Sequence, residues 1–196
     1  MSGRKRVYLA GPEVFLRNAS EVMARKGQMA LDFGFEPSTL AEDGVKLSGN
    51  TPHEFGMSIG VANETMMDAS DFIIANLTPF RGISADVGTA FEVGYMRAQG
   101  KPCFGYTNTD RDYYTRLTVD YYSGGPFEED GDVIRARDGL MIENHTMIDN
   151  LMLDTAIILS GGSFVAKEVS GQGVDDELSA YHDALVAARA FFDAQK

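Results

Sequence analysis

The chain has 196 residues, 44% of them hydrophobic, one cysteine, and a formal net charge of −12 at pH 7. That length suits a single α/β domain with its own core, expected to span 1–196. The charge opposes nonspecific binding to nucleic acid or an anionic membrane, no apolar run approaches a membrane span, and one cysteine excludes an intrachain disulfide framework or thiolate metal site.

The opening Met-Ser-Gly-Arg-Lys-Arg is followed only by a short apolar stretch, too short for a secretory signal, so the cytoplasm is the expected location. Residues 6–10 read as a first strand ended by Gly11-Pro12. Asn18 is the candidate N-cap of a helix running to about Phe33 and closed by Gly34. A short strand is placed near Phe35, and residues 41–51 form a loop. Thr51, Pro52 and Glu54 signal a helix start, with an acid near the positive dipole end, and that helix continues to about Met67. Residues 71–76 are a β-branched strand. A loop over 77–85 leads to Asp86, the candidate cap of a helix ending at Gly100.

Residues 102–106 form the next strand, which holds Cys103 as a buried small hydrophobe. Strand alternating with helix implies a parallel sheet with right-handed crossovers. Residues 107–146 break that rhythm and read as an insertion or lid, with a hairpin turning at Asp138-Gly139. Helical patterning resumes over 147–159. A last helix spans 175–194, with Leu178, Tyr181, Leu185, Ala188 and Phe192 on one face. His53, His145 and His182 lie far apart without metal-ligand spacing. No metal and no cofactor is expected.

The chemistry centres on Asp86 and Glu92. An acid in the second turn of a helix that follows a parallel strand lies at the mouth of an α/β crevice. Six helical positions advance the axis by about 9 Å, so the two carboxylates suit the two ends of a small ligand better than a shared proton. Gly88 and Gly94 flank Glu92 and keep the surface low. A carboxylate so placed can attack an anomeric carbon through an oxocarbenium-like transition state. The plainer alternative makes Asp86 an N-cap and Glu92 an ordinary helix residue. Yet Glu92 stands in the apolar run Ala90-Phe91-Glu92-Val93 and needs a specific partner. Tyr8, at the end of the first strand, is either that partner or a core tyrosine.

Four segments occur in order: Tyr8-Leu9-Ala10-Gly11-Pro12, Asn76 to Gly82, Asp86 to Tyr95, and Asn150-Leu151-Met152. Together, over roughly residues 6–155, the chain resembles the nucleoside 2-deoxyribosyltransferase family. The resemblance implies a flavodoxin-like or Rossmann-like parallel sheet flanked by helices. It also implies ping-pong transfer of 2-deoxyribose between bases, with a 2'-deoxynucleoside and a free nucleobase as partners.

Carried over by position, Glu92 is the nucleophile, Tyr8 orients it, and Asp86 positions substrate. Ala10, Gly11, Gly88 and Met152 belong to the substrate site, and Asn150 is contributed to a neighbouring subunit's sugar site, which requires a homo-oligomer. Within its own chain Asn150 would instead be a helix N-cap. Asn63 stands where some members carry a base-contacting aspartate, or is an exposed helix residue. Phe15 stacks on the base or fills the core. Arg81 closes over substrate or is a solvated loop charge.

Three rival readings remain. The first is a nucleoside or nucleotide N-glycosidase on the same scaffold, for which Ser84 and Arg81 are candidate phosphate contacts. The second, the phosphoribohydrolase family, places Pro-Gly-Gly where this chain has Ser84-Ala85-Asp86. The third is a non-catalytic nucleotide-sensing module, which could lose the nucleophile.

Overall fold

The computed structural model describes residues 3–39, 46–169 and 177–195. Strand β1 (Lys5–Ala10) is followed by a single 3₁₀ turn over Pro12–Phe15 and by helix α1 (Ala19–Asp32). Strand β2 (Phe35–Pro37) leads to α2 (Pro52–Asp68), β3 (Phe72–Asn76), α3 (Val87–Ala98) and β4 (Cys103–Thr107). After the insertion come α4 (Leu151–Leu159), one further parallel strand (Phe164–Ala166) and α5 (Ser179–Asp193). Residues 41–45 of the expected 41–51 loop, and positions 175 and 176 of the expected last helix, lie outside the described residues.

All pairings in the main sheet are parallel. The order across it is β2, β1, β3, β4 and the Phe164–Ala166 strand. This is the doubly wound arrangement in which the chain reverses direction across the sheet between β1 and β3. Strand period assigns the two faces. Val7, Phe72, Ile74, Phe104 and Tyr106 pack under α1 and α5, with Phe35 beside them. Tyr8, Ile73, Ala75 and Cys103 point the other way, toward α2, α3 and α4. Burial pushes the Cys103 thiol up to about 11, which leaves it a packing residue.

The caps follow the local chemistry. Thr51 and Glu54 form a reciprocal capping box at α2. Asp86 caps α3 by accepting from the Thr89 N–H at 3.0 Å. Asn18 occupies the N-cap position of α1, but its side chain makes no capping bond. The 147–159 helix starts later than expected, at Leu151, because Asn150 caps it, Oδ1 accepting from the Met152 N–H at 3.1 Å. The C-terminus of α2 is tied to α3 through Asp68, which accepts from the Tyr95 hydroxyl (2.9 Å) and the Gln99 amide (2.6 Å).

The insertion holds a helical segment from Tyr113 to Tyr121, ending in π-type turns, and a three-stranded antiparallel sheet. The sheet strands are β5 (Phe127–Asp130), β6 (Val133–Ala136) and β7 (Met141–Ile142), so the strand in the main sheet at Phe164–Ala166 is β8. The expected hairpin is β6–β7, with Asp138 Oδ1 accepting from the Leu140 N–H. Strands β5 and β8 carried no sequence signal. FEED in β5 is exposed and acidic, and β8 has three residues. Tyr122, Ala136 and Ile142 give the insertion a small core of its own.

Candidate active site

The β1–β3 boundary is where a doubly wound sheet opens a crevice beyond its strand ends. Tyr8 lies on β1, buried, and donates its hydroxyl to Glu92 Oε1 at 2.6 Å. Glu92 is half-buried on α3. Burial chiefly pushes its carboxyl up, and the Asp86 charge adds to this. The Tyr8 hydrogen bond works in the opposite direction, and the outcome is about 7. Burial and the same glutamate also hold the Tyr8 phenol far above its ordinary range, so it stays a donor. Asp86 uses one oxygen, Oδ2, for the Thr89 N–H and hydroxyl. Cap and substrate-positioning acid are therefore compatible roles for Asp86, since Oδ1 remains outside the cap.

The turn after β1 is shaped by a close approach. Ala10 is buried at the strand end, and Gly11 has φ 155°. A Cβ at Gly11 would fall 2.0 Å from Glu13 Oε2 and 2.8 Å from Asn76 Cβ, so only glycine fits there. Phe15 is 58% exposed, not core. Its ring stacks on Phe80, centroids 5.3 Å apart. The Arg81 guanidinium lies 5.1 Å from the Phe15 ring centre and 4.6 Å from that of Phe80. Arg81 adopts φ 54°, a left-handed conformation costly for a residue with a Cβ. Arg81 is therefore held in an aromatic cluster at the rim, and Gly88 lies exposed in the first turn of α3.

Sequence reasoning missed two buried ion pairs beneath this rim. Glu13 is 1% exposed and pairs with the fully buried Lys26 at 2.6 Å, while Tyr106 donates to the same carboxylate oxygen at 2.7 Å. Burial alone would raise Glu13, but the Lys26 charge and these hydrogen bonds hold it below the usual carboxylate range. Lys26 also sits over the rings of Tyr106 and Tyr181. The second pair is Arg116 and Asp149, 2.8 Å apart. Arg116 further donates to the carbonyls of Ile83 and Arg111, and Asp149 accepts from the Ser84 hydroxyl and the Ala85 N–H. This pair straps the insertion to the loop before α3. It also engages the Ser84 hydroxyl, one of the two groups considered for a phosphate.

Asn150 and Met152 do not join Glu92 within one chain. They border an apolar groove of about 800 Å³ between α3 and α4, with Val87, Ala90, Gly94 and Leu159. Val87, Ala90 and Gly94 lie on roughly the opposite side of α3 from Glu92, so Gly94 serves this groove and not the carboxylate. Met152 is 67% exposed. Asn63 is half-buried on α2 and makes no hydrogen bond to Tyr8, Asp86 or Glu92. Among the described residues no three His, Cys, Asp or Glu side chains converge as a metal site. No helix among them is long and apolar enough to cross a membrane.

Comparisons with known proteins identify the family and match the fold. A family model described as nucleoside 2-deoxyribosyltransferase matches residues 7–152. An uncharacterised protein of Schizosaccharomyces pombe is 33% identical over 180 residues, covering 85% of this chain and 82% of that protein. The solved 2-deoxyribosyltransferase of Leishmania mexicana is 27% identical, with a TM-score of 0.57 over 93% of this chain and 97% of its own. A conserved protein of Enterococcus faecalis, 18% identical, shares the fold with a TM-score of 0.52, over 96% of this chain and 99% of that one.

Proposed function

Because the chain belongs to the nucleoside 2-deoxyribosyltransferase family, we propose that it transfers 2-deoxyribose between nucleobases through a covalent deoxyribosyl-Glu92 ester. The observation that carries this reading is the 2.6 Å bond from Tyr8 to a half-buried Glu92 whose carboxyl is raised to about 7. A desolvated carboxylate with one phenol donor is a stronger nucleophile than a solvated one. The phenol fixes Oε1, which leaves Oε2 to attack C1′. As the C1′–N bond breaks, its electron pair leaves with the base, which takes a proton. A second base then attacks C1′ and displaces Glu92, with net retention.

A ribose 2′-hydroxyl withdraws electron density from the oxocarbenium-like centre and needs space beside Glu92, so deoxyribose is favoured. Asp86 positions the sugar from the lip of α3. Ala10 and Gly11 bring the backbone of the β1 turn close to substrate, and Gly88 lets the substrate approach α3. Exposed Phe15 is available to stack on the base, with Arg81 and Phe80 supporting it. Asn63 can both donate to and accept from a base edge. Hydrolysis, with water as the second acceptor, uses the same first step. A 5′-monophosphate substrate is disfavoured because Ser84 already donates to Asp149 and Arg81 is engaged by the Phe15–Phe80 pair.

Asn150 and Met152 complete the site of a neighbouring copy in this reading. Their exposed groove, remote from Glu92 in the same chain, is the surface such a copy would cover. The first test is chromatography of 2′-deoxyinosine incubated with and without adenine. Deoxyadenosine that forms only with adenine supports transfer, whereas hypoxanthine released without transfer supports hydrolysis. Mixing Glu92→Ala and Asn150→Ala chains tests the shared site: activity should return on subunit exchange, and persistent silence would refute contribution in trans.

A further inference from the structure

The C-terminal ends of β3, β4 and β8 border, with the insertion, a separate cavity of about 220 Å³, displaced across the sheet from Tyr8 and Glu92 toward β8. Thr78, Asn108 and Arg116, each at least nine-tenths buried, contribute to its lining, as do the more exposed Arg111, Asp120 and Glu168. Pockets that take drug-sized ligands start at about 300 Å³, so this one fits a single small heterocycle and not a whole nucleoside.

Asn108 is the unusual member. Its backbone N–H is bonded to Thr78 Oγ1 at 3.0 Å, and that hydroxyl donates to Asn76 Oδ1 at 2.6 Å, so the strand end is secured without the Asn108 side chain. The carboxamide lines the cavity at 2% exposure, yet neither Oδ1 nor Nδ2 has a hydrogen-bond partner among the described residues. Native proteins rarely bury an amide with donor and acceptor both unmet unless a bound group completes them.

The surrounding charges narrow the ligand class. Arg116 is paired with Asp149 at 2.8 Å, and Arg111 with Asp120 at 2.9 Å. Glu168 has no cation partner among the described residues and accepts only a long 3.5 Å bond from the Asp110 N–H. The unbalanced charge is therefore negative, which repels a phosphate or carboxylate and attracts N–H donors. Pro79 and Ile83 supply apolar wall. A carboxamide presenting one donor and one acceptor matches the adenine N6–H and N7 edge, where asparagine bonds in bidentate fashion.

We propose that this cavity is a second site, distinct from the one at Glu92, for a free 6-aminopurine base held edge-on by the Asn108 carboxamide. Its value to a base-exchanging enzyme rests on the function proposed above, but the binding chemistry does not.

The test is a titration of the full-length Glu92→Gln protein with adenine and with hypoxanthine, followed through the Asn108 side-chain amide in ¹H–¹⁵N spectra. Hypoxanthine carries a carbonyl where adenine carries the amino group. Adenine should shift the Asn108 amide saturably, and hypoxanthine should not. Asn108→Leu, still showing a cooperative thermal transition, should weaken adenine binding at this site about tenfold or more, the effect of losing a bidentate pair.

If Asn108→Leu does not fold, Asn108→Asp keeps the shape but sets a charge against N7, and should weaken adenine similarly. An Asn108 amide that adenine leaves unmoved, or that hypoxanthine moves equally, overturns the proposal and leaves the cavity to water. Adenine binding by Asn108→Asp as tight as that of the parent also overturns it. Deoxyribosyl transfer by the wild-type protein is scored separately, so a failed transfer assay with a responsive Asn108 refutes only the function, and the converse refutes only this site.

Discussion

Glu13 and Glu92 stand on the same side of the fold problem and reach opposite answers. Glu13 follows the end of β1, Glu92 follows β3, and each accepts a hydrogen bond from a buried tyrosine, Tyr106 at 2.7 Å and Tyr8 at 2.6 Å. Burial raises both carboxyls. Only Glu13 has a cation, Lys26, at 2.6 Å, and it is held below the ordinary range, whereas Glu92 rises to about 7. A phenol alone is too weak a counterweight to desolvation, and an ammonium is enough. The first glutamate is a structural tie, and the second is left incompletely compensated, the state that the proposed nucleophilic role calls for.

The largest effect expected from breaking this contrast is in Glu92→Gln. If Glu92 is the nucleophile, turnover of a deoxynucleoside falls by about 10⁴-fold or more. The thermal midpoint at pH 8 should rise, because an amide carries no desolvated charge. Undiminished turnover would sink the assignment.

Lys26→Met comes next and turns Glu13 into an unpaired buried carboxylate. Loss of one partner of a buried pair costs about 3–5 kcal/mol, readable by urea unfolding. The pH dependence should change sign as well. In the wild-type protein Glu13 has a lowered pKa, so its contribution is present above the ordinary carboxylate pKa and lost as pH falls through the lowered value. Without Lys26 its pKa should rise, and stability should then decline as pH increases. A Lys26→Met protein with unchanged pH dependence would show that Lys26 does not control Glu13.

Tyr8→Phe removes the one interaction that lowers Glu92. The Glu92 carboxyl is raised, so its protonated form is favoured in the folded chain up to about pH 7, and the carboxylate dominates only above that. The acid limb of kcat/KM is expected near 7 in the wild type and about one unit higher in Tyr8→Phe. An unmoved limb in a variant that still turns over would exclude Tyr8 as the orienting donor. The smallest change is Tyr106→Phe, which leaves Lys26 in place. It should cost about 1–2 kcal/mol of stability and leave the acid limb where it was.

Much of the site was legible because its signals are local. A polar cap before a helix and a carboxylate in an apolar run single out Asp86 and Glu92 from neighbouring residues alone, whereas Tyr8 stayed open between a partner for Glu92 and a core tyrosine until the assembled sheet brought the two within 2.6 Å. Lys26 gave no such signal, since a lysine in an amphipathic helix normally reaches solvent. Glu13 read as part of a loop, and its ion pair depends on α1 laying Lys26 under the turn. Asp149 looked like a residue inside a helix. It lies before α4 because its carboxylate is recruited by Ser84, Ala85 and Arg116, three positions from segments distant in sequence.

The sequence by itself determined the alternation of strands and helices, the caps at Thr51, Asp86 and the Asp138 turn, and which residues could carry the chemistry, because periodicity and capping act over a few neighbouring residues. Only the tertiary structure decided the strand order that sets β1 beside β3, the 2.6 Å approach of Tyr8 to Glu92, and the burial that separates Glu92 from Glu13. It also turned Asn150 and Met152 away from the Glu92 of their own chain. Those outcomes depend on desolvation and charge pairing between segments far apart in the chain, and such energies exist only once the sheet has assembled.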